Sequence, residues 1–335
     1  MINSIDFIHV GYHKTGTTYL QNCGFQGKSD IQLLGGYSSN NNDQEKSLYL
    51  LKCKLSELGG DVFCAEKWRE DFFSIINSIE NLEGKILGVS DEELSGNYIT
   101  GEGDFEIAER IHKVFGKVKV VIVIRNQIDM IDSIYRQYIH LGGVYSFKKF
   151  IRSEGQNITS KLKYDKLIGK YIELFGKDNV LILPYENIKN KSFFLSNMYK
   201  FIQINNLELP VCHESVHNRS HHYYTLFFDR IINFLFRDEY SEPLFGRWFF
   251  KQYISLPIYK KGSGFFWKRE PIGWWYRRVF VEKIIDPFIM YRFFTNHKTL
   301  DKKTQVLLRS QFIDTNKSIE RMFNLNLKKL GYPVS

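Results

Sequence analysis

Residues 7–20 read Phe7-Ile8-His9-Val10-Gly11-Tyr12-His13-Lys14-Thr15-Gly16-Thr17-Thr18-Tyr19-Leu20. The apolar run that leads into this stretch, from Ile5 to Val10, predicts a buried strand, and the residues from Thr17 onward have helical composition. Between them, Gly11 and Gly16 let the backbone turn tightly, while the free N–H groups and the dipole of the following helix bring positive charge to the turn. A strand, a glycine-bounded loop and a helix start, in this order, predict a site for a phosphate-like anion.

The loop differs from the common nucleotide-binding pattern G-x-x-x-x-G-K-[ST] in the place of its lysine. The glycine spacing matches at Gly11 and Gly16, but Thr17 stands where the pattern has lysine, and Lys14 lies inside the loop. A nucleoside triphosphatase needs the lysine after the second glycine and a carboxylate for magnesium. The altered lysine position therefore favours an anion lying across the loop. The stretch resembles the phosphosulfate-binding loop of sulfotransferases that use 3′-phosphoadenosine 5′-phosphosulfate (PAPS).

A second stretch strengthens this resemblance. Residues 118–124 read VKVVIVI and predict a strand buried on both faces of a parallel sheet. Sulfotransferases carry an arginine at this strand end and a serine eight residues later, which bind the 3′-phosphate of PAPS, and Arg125 and Ser133 match that spacing. The family usually has proline where this chain has Gln127, which removes preorganisation of the first helical turn but no ligand contact.

A third feature is the acidic run after the strand predicted at residues 85–89. Carboxylates at the carboxyl end of a parallel strand are well placed to act on a bound substrate. Many sulfotransferases carry Ser-x-Glu here, so the resemblance, with Ser90 as its serine, implies that Glu92 is the base for the acceptor hydroxyl. A neighbouring carboxylate as the base, or three acids that merely begin a helix, are the alternatives that the sequence leaves open.

The resemblance also implies the ligand contacts. The 5′-phosphosulfate lies in the loop, where Lys14 and the helix N–H groups stabilise charge on the leaving phosphate oxygen. Arg219, in the stretch 216–220, is expected to contact a phosphate, the alternative being an ordinary surface arginine. The expected catalytic residues are Glu92 and Lys14, and the expected donor-binding residues are Tyr12, His13, Lys14, Thr15, Gly16, Thr17, Thr18, Arg125, Ser133 and Arg219.

A metal site is the less favoured interpretation of one histidine-rich segment. It contains Cys212, His213, His217, His221 and His222. These residues lack the close pairs typical of structural zinc sites, so we expect no metal. The four cysteines of the chain are scattered and predict reduced thiols rather than a disulfide framework.

The order of elements predicts the fold class. Strands alternate with helices across residues 5–205, which indicates an α/β fold of three layers, a central parallel sheet of about five strands flanked by helices. Four strands are evident, and we expect the fifth near residues 61–64. The resemblance implies the P-loop-like sulfotransferase fold. We expect residues 1–235 to form the PAPS-binding core, and residues 236–335 a helical, aromatic-rich extension that packs on the core and contributes to acceptor binding.

Charge and composition narrow the partners. The net charge of +9 implies an anionic partner. Residues 247–278 contain eight basic residues against one acidic residue, with eleven aromatics, which fits acceptor binding, contact with an anionic membrane, or a packed aromatic subdomain. Neither a signal peptide nor a membrane-spanning run is evident, so we expect a cytoplasmic bacterial enzyme, with a peripheral position at the inner membrane face as an alternative.

These observations together predict a PAPS-dependent sulfotransferase. We expect the acceptor to be a hydroxyl of a carbohydrate or glycolipid, because a carboxylate rather than a histidine follows the strand at residues 85–89, as in the carbohydrate-modifying branch of the family. No nucleic-acid partner is expected. The alternatives are a P-loop nucleotide-dependent kinase and a non-catalytic protein that binds an anion or a membrane surface.

Overall fold

The computed structural model describes residues 1–36, 43–57, 63–204, 210, 223–236, 253–260, 264–271 and 302–335. Its central sheet has five strands in the order β2-β3-β1-β4-β5, and every neighbouring pair is parallel. The strands are β1 (Phe7–Gly11), β2 (Ile31–Leu33), β3 (Ile86–Asp91), β4 (Lys119–Ile124) and β5 (Val180–Pro184). The predicted five-stranded parallel sheet is therefore confirmed.

Helices separate and follow these strands in the described sequence. They are α1 (Thr17–Tyr19), α2 (Asp43–Ser56), α3 (Ala65–Asn77), α4 (Asp104–Phe115), α5 (Gln127–His140), α6 (Phe147–Lys161), α7 (Tyr164–Phe175), α8 (Lys191–Phe201), α9 (Tyr223–Phe236), α10 (Lys302–Ser310) and α11 (Ile313–Phe323). Short 3₁₀ turns cover Glu93–Ser95, Lys177–Asn179, Tyr185–Lys189 and Lys328–Leu330.

The sheet is buried on both faces. Residues 120–124 of β4 are fully buried, as the continuous β-branched run predicts for a strand with helices on either side. One core cluster joins Val121 and Val123 to Phe194 and Met198 of α8. Helix α7 contacts β4 and also packs against α4. The helix-flanked, three-layer α/β prediction is thus confirmed.

Some elements differ from the predictions. The fifth strand is β2, at residues 31–33, not near residues 61–64: residues 63 and 64 are not strand, and residues 61 and 62 lie outside the described part. A strand of three residues is too short to show a clear alternation of apolar and polar side chains. The helix predicted from Thr17 onward has a single α-helical turn and continues as a π-helix over Leu20–Phe25.

The C-terminal part also differs from the expected helical extension. The described residues there include an antiparallel hairpin of β6 (Tyr253–Lys260) and β7 (Gly264–Pro271), followed later by α10 and α11. The described terminal stretch, residues 302–335, contains two helices and a 3₁₀ turn.

The chain divides into two compact units. The first contains Met1–Met130, Gln156–Glu214 and Val306–Ser335, and the second contains Ile131–Gly155 and Ser215–Gln305. Within the second unit, the buried Asn233 amide of α9 donates hydrogen bonds to the carbonyls of Ile139 (2.7 Å) and Gly143 (2.8 Å). The predicted division of the chain at residue 235 stays a prediction.

The cysteines differ from the expectation of reduced thiols. Cys53 and Cys64 are free, whereas Cys23 is disulfide-bonded. None of the helices in the described ranges combines the length and the apolarity that crossing a membrane requires.

Candidate functional site

The loop predicted to bind an anion lies at the carboxyl ends of the three central strands. Strand β1 leads into it between β3 and β4, with Val10 paired with Asp91 on one side and Gly11 paired with Val123 on the other. The chain passes from β1 to β2 and β3 on one side of the sheet and then to β4 and β5 on the other. The loop therefore stands at a topological switch point, where parallel sheets place their ligands.

Two residues turn the loop backbone through left-handed conformations. Gly16 has a φ of 82° and precedes α1, and Lys14 has a φ of 64°. A left-handed backbone is uncommon for a long side chain such as lysine, and such strained conformations cluster at functional sites. The hydroxyl of the buried Thr15 fastens the turn by donating a hydrogen bond to the Tyr12 carbonyl.

The base of the loop has a close fit that requires glycine. A Cβ atom at Gly11 would overlap the Thr17 hydroxyl and lie 3.3 Å from the His9 ring. The Thr17 hydroxyl is buried and has no hydrogen-bond partner among the described residues. Together with the free N–H groups at the start of α1, this hydroxyl offers donors that suit the oxygen atoms of a phosphate or sulfate group.

Lys14 and Glu92 form the charged part of the site and interact electrostatically. Burial raises the pKa of Glu92, and the interactions of this carboxyl with His13 and Lys14 act against the shift. Loss of surrounding water lowers the pKa of Lys14, which Glu92 opposes and Arg125 reinforces. Within the described part of the chain, the Glu92 carboxylate accepts no hydrogen bond. It is therefore available to take a proton.

The carboxylates next to Glu92 have other partners. Asp91 lies 2.7 Å from the ammonium group of Lys52, whose side chain is only 5% exposed, and it also accepts the Glu93 N–H. The Glu93 side chain is 61% exposed and lies 3.2 Å from His13 Nε2. The three acids do not begin an α-helix: Asp91 ends β3, and Glu93 starts a single 3₁₀ turn.

Arg125 is joined directly to the loop. Its guanidinium donates a 2.9 Å hydrogen bond to the Lys14 carbonyl and lies 5.0 Å from the centre of the Tyr185 ring. The same Tyr185 ring would lie 3.0 Å from a Cβ atom at Gly16. The arginine after β4 thus helps to hold the left-handed turn at Lys14.

Buried aromatic groups support the loop from beneath. The Tyr12 ring is 2% exposed and packs edge-on against Tyr164, whose hydroxyl donates a 2.7 Å hydrogen bond to the Arg125 carbonyl. The Glu186 carboxylate accepts hydrogen bonds from the Asn126 N–H and the Tyr332 hydroxyl, at 2.8 and 2.7 Å. Tyr185 and Glu186 thus support the loop and the residues after β4.

The structure brings together the loop residues, Glu92 and Arg125, but not every predicted donor-binding residue. Thr18 is exposed at the start of α1, as Lys14 is in the loop, and its part in donor binding stays a prediction. Ser133 is partly exposed in α5 and belongs to the second compact unit, so its pairing with Arg125 stays a prediction. Arg219 and the histidine-rich segment lie outside the described residues. Among the residues that are described, no cluster of three or more metal-ligating side chains occurs.

Two residues near the site were missed at the sequence level. They are Lys161 and Lys52, both buried lysines near the ends of helices. A lysine in a helix normally indicates a solvated surface, and no local pattern distinguishes a buried one. Their positions follow only from the tertiary fold.

Several solved sulfotransferases are similar to this chain. One from Alicyclobacillus acidocaldarius has 16% identity and a TM-score of 0.46, covering 71% of this chain and 98% of its own. The sulfotransferase domain of the Synechococcus PCC 7002 olefin synthase has 14% identity and a TM-score of 0.37, over 64% of this chain and 79% of its own. Mouse sulfotransferase SULT7A1, complexed with PAP, has 16% identity and a TM-score of 0.36, over 60% of each chain.

No protein-family model and no curated protein sequence matches the chain. The residues of the site, rather than these distant likenesses, support the function proposed below.

Proposed function

We propose that the chain is a PAPS-dependent sulfotransferase that transfers a sulfuryl group to an acceptor hydroxyl. The observation that carries this proposal is the arrangement around Lys14: a glycine-bounded anion loop, a partly buried carboxylate at Glu92 and an arginine bonded to the loop at Arg125. In this function the loop and Lys14 hold the 5′-phosphosulfate, and Arg125 with Ser133 holds the 3′-phosphate.

The transfer step uses the two charged groups that interact across the site. Glu92 accepts the proton of the acceptor hydroxyl as its oxygen forms a bond to sulfur. The bond from sulfur to the bridging phosphate oxygen breaks, and its electron pair leaves with 3′-phosphoadenosine 5′-phosphate. Lys14 and the helix N–H groups stabilise the negative charge that develops on this oxygen.

The environment of the three acids supports Glu92 as the base. A base must be ionised and free to receive a proton, and burial that raises its pKa brings its basicity closer to that needed near neutral pH. Asp91 is engaged by Lys52, and Glu93 is solvent-exposed. Glu92 combines partial burial and a raised pKa with a carboxylate that accepts no hydrogen bond from a described residue.

The acceptor that we propose is a sugar hydroxyl of a carbohydrate or glycolipid. A carboxylate at the end of β3 suits alcohol hydroxyls, whose protons are held too tightly to leave without a base. For a lipid-linked acceptor, we propose that the protein contacts an anionic membrane through the basic aromatic stretch at residues 247–278.

Thermal unfolding with added nucleotides tests the donor site. A ligand that binds only the folded state stabilises it by about 2.7 kcal/mol at one hundred times its dissociation constant. We expect 3′-phosphoadenosine 5′-phosphate to raise the melting temperature well above the effect of 5′-AMP, without added metal. Equal effects of the two nucleotides would contradict a 3′-phosphate site, and stabilisation only by ATP with magnesium would favour a kinase.

Turnover of the carboxylate variants tests the base. Glu92→Gln removes the proton acceptor and keeps the side-chain shape, whereas Glu93→Gln is the matched control at the next position. We expect loss of turnover in Glu92→Gln with unchanged binding of 3′-phosphoadenosine 5′-phosphate, and substantial turnover in Glu93→Gln. A Glu92→Gln variant that turns over normally would show that Glu92 is not the base.

A further inference from the structure

Lys161, at the C-terminal end of α6, is buried beside the candidate site. Its residue is 5% exposed, and its ammonium group donates a hydrogen bond to the Ser95 carbonyl. The same ammonium lies 4.8 Å from the centre of the Tyr12 ring. A buried ammonium is costly unless it has hydrogen bonds and opposite charge around it, so its position here requires explanation.

The contacts of Lys161 lead to the proposed base. Ser95 closes the 3₁₀ turn after β3, where its N–H and its hydroxyl both bind the Glu92 carbonyl, at 3.1 and 2.9 Å. A hydrogen bond to the Ser95 carbonyl therefore holds the turn that carries Glu92. Tyr12 is the first residue of the anion loop. The ammonium group of Lys161 thus contacts both the turn that carries the proposed base and the loop that is proposed to bind the donor.

The surroundings of Lys161 accommodate this role. Gly101 has a φ of 71°, and a Cβ atom there would lie 2.8 Å from Lys161 Cδ, so the glycine leaves room for the lysine stem. Asp104 of α4 and Glu93 supply opposite charge, although burial still lowers the pKa of Lys161 to about 8. Asp104 and Glu93 are the charged groups that act on the ammonium, and the face of the Tyr12 ring lies against it.

We propose that Lys161 is a positioning residue, which fixes the turn carrying Glu92 relative to the anion loop at Tyr12. This role rests on the proposed function, because it sets the distance between the base and the bound donor. It predicts that loss of Lys161 slows the transfer step much more than it weakens donor binding. Misplacement of a reacting group by about 1 Å lowers a rate by roughly a hundredfold.

The test compares Lys161→Met with Lys166→Met. Lys166 is exposed and acts electrostatically on Asp104, so its variant removes a charge from the same neighbourhood without touching Ser95 or Tyr12. The first readout is amide hydrogen exchange at Ser95 and Gly96, whose N–H groups bind the carbonyls of Glu92 and Glu93. We expect faster exchange in Lys161→Met only. Unchanged exchange in both variants, or an equal increase, would overturn the proposal whether or not the chain binds PAPS.

The second readout is turnover of PAPS at saturating donor, with simple sugar glycosides or water as acceptor. We expect Lys161→Met to lose about tenfold to a hundredfold in kcat, with an unchanged dissociation constant for 3′-phosphoadenosine 5′-phosphate. An equal loss of binding and turnover would indicate a merely structural lysine. Absence of nucleotide binding in the unmodified protein would instead reject the proposed function and leave the exchange result standing.

Lys161→Arg keeps the proposal testable if the methionine variant does not fold. Arginine retains the charge and the donor, so we expect it to restore turnover in part. In the unmodified protein, we expect the rate to fall above about pH 8, as Lys161 loses its proton. Arginine stays protonated, so this fall should be absent in Lys161→Arg. The same alkaline fall in Lys161→Arg and in the unmodified protein would contradict the role of the lysine.

Discussion

Gln127 and Asn316 exchange two hydrogen bonds through their side-chain amides, at 2.6 and 3.1 Å, although 189 residues separate them in the sequence. Both side chains are fully buried, and the Asn316 amide also donates to the Pro333 carbonyl at 2.8 Å. Gln127 begins α5, directly after Arg125 and Asn126. Gln127 therefore helps to bind the C-terminal segment to the core.

This pair predicts a measurable coupling in stability. Replacing either amide by leucine leaves the other buried without its partner, so each single variant should lose about 1–3 kcal/mol of unfolding free energy. The double variant should lose less than the sum of the two single losses. Urea unfolding of the four proteins measures the difference. Additive losses would mean that the two amides do not stabilise each other.

Gly11→Ala should weaken donor binding. The new methyl group would overlap the Thr17 hydroxyl at the base of the loop, so the loop must shift. We expect the dissociation constant of 3′-phosphoadenosine 5′-phosphate to rise at least about tenfold, or about 1.4 kcal/mol. Gly169→Ala in α7 is the matched control, because a Cβ atom there has nothing within 4 Å and alanine favours a helix. Equal binding by both variants would contradict the close fit at Gly11.

The central sheet and the loop could be predicted from the sequence because their signals are local. The β-branched run at residues 119–124 and the glycines of the loop each impose structure on their own neighbours. Strand β2 could not be predicted in the same way, since Ile31–Leu33 is three residues long and is a strand only through its pairing with β3. The return of the C-terminal segment to the core depends on contacts such as Gln127 with Asn316, which no local pattern reveals.

The candidate site could be predicted where chemistry follows a strand end, as at Glu92 and Arg125. The buried lysines that pack near these residues could not be predicted. Lys52 and Lys161 resemble surface lysines in the sequence, yet Lys52 is buried against the last residue of β3, and Lys161 against the turn that follows it. The sequence therefore could not indicate which of the carboxylates of Asp91, Glu92 and Glu93 is free, because their partners are evident only in the fold.

Lys14→Ala should slow transfer with saturating donor. Removing one group that stabilises charge in the transition state raises a barrier by about 3–4 kcal/mol, so we expect a loss of roughly a hundredfold to a thousandfold in kcat. Lys177→Ala is the control, because Lys177 is exposed and precedes the amino end of β5, whereas the loop follows the carboxyl end of β1. Steady-state turnover of PAPS measures both. Near-full turnover in Lys14→Ala would contradict its role.

The acid limb of the pH–rate profile should respond to Glu93. Turnover requires ionised Glu92, so the rate should rise as the pH increases through the raised pKa of this carboxyl. The charge of Glu93 contributes to that raised pKa. In Glu93→Gln the acid limb should therefore move to lower pH. Glu102→Gln, an exposed change, should leave it in place. If the acid limb does not move, a group other than Glu92 gives rise to it.

His9 should make the fold sensitive to acid. The ring is fully buried in β1, where Ser90 Oγ lies 2.8 Å from its Nδ1, and burial lowers the pKa from 6.5 to about 4 despite the opposing charge of Asp91. Between pH 6.5 and about pH 4, the unfolded chain therefore binds a proton at His9 that the folded chain does not bind. The free energy of unfolding is thus unaffected by this group above pH 6.5, and it decreases as the pH falls towards 4.

The effect can be isolated by comparing variants. At about 1.4 kcal/mol per pKa unit, the loss is of the order of 3 kcal/mol. Unfolding measured from pH 7 to pH 4 should show a weaker acid dependence in His9→Gln than in the unmodified protein. His112→Gln, which changes a ring packed against Phe175 outside the sheet, should keep the full dependence. If His9→Gln follows the unmodified protein at every pH, the acid sensitivity arises from other groups, because only the difference between the two curves reports the histidine.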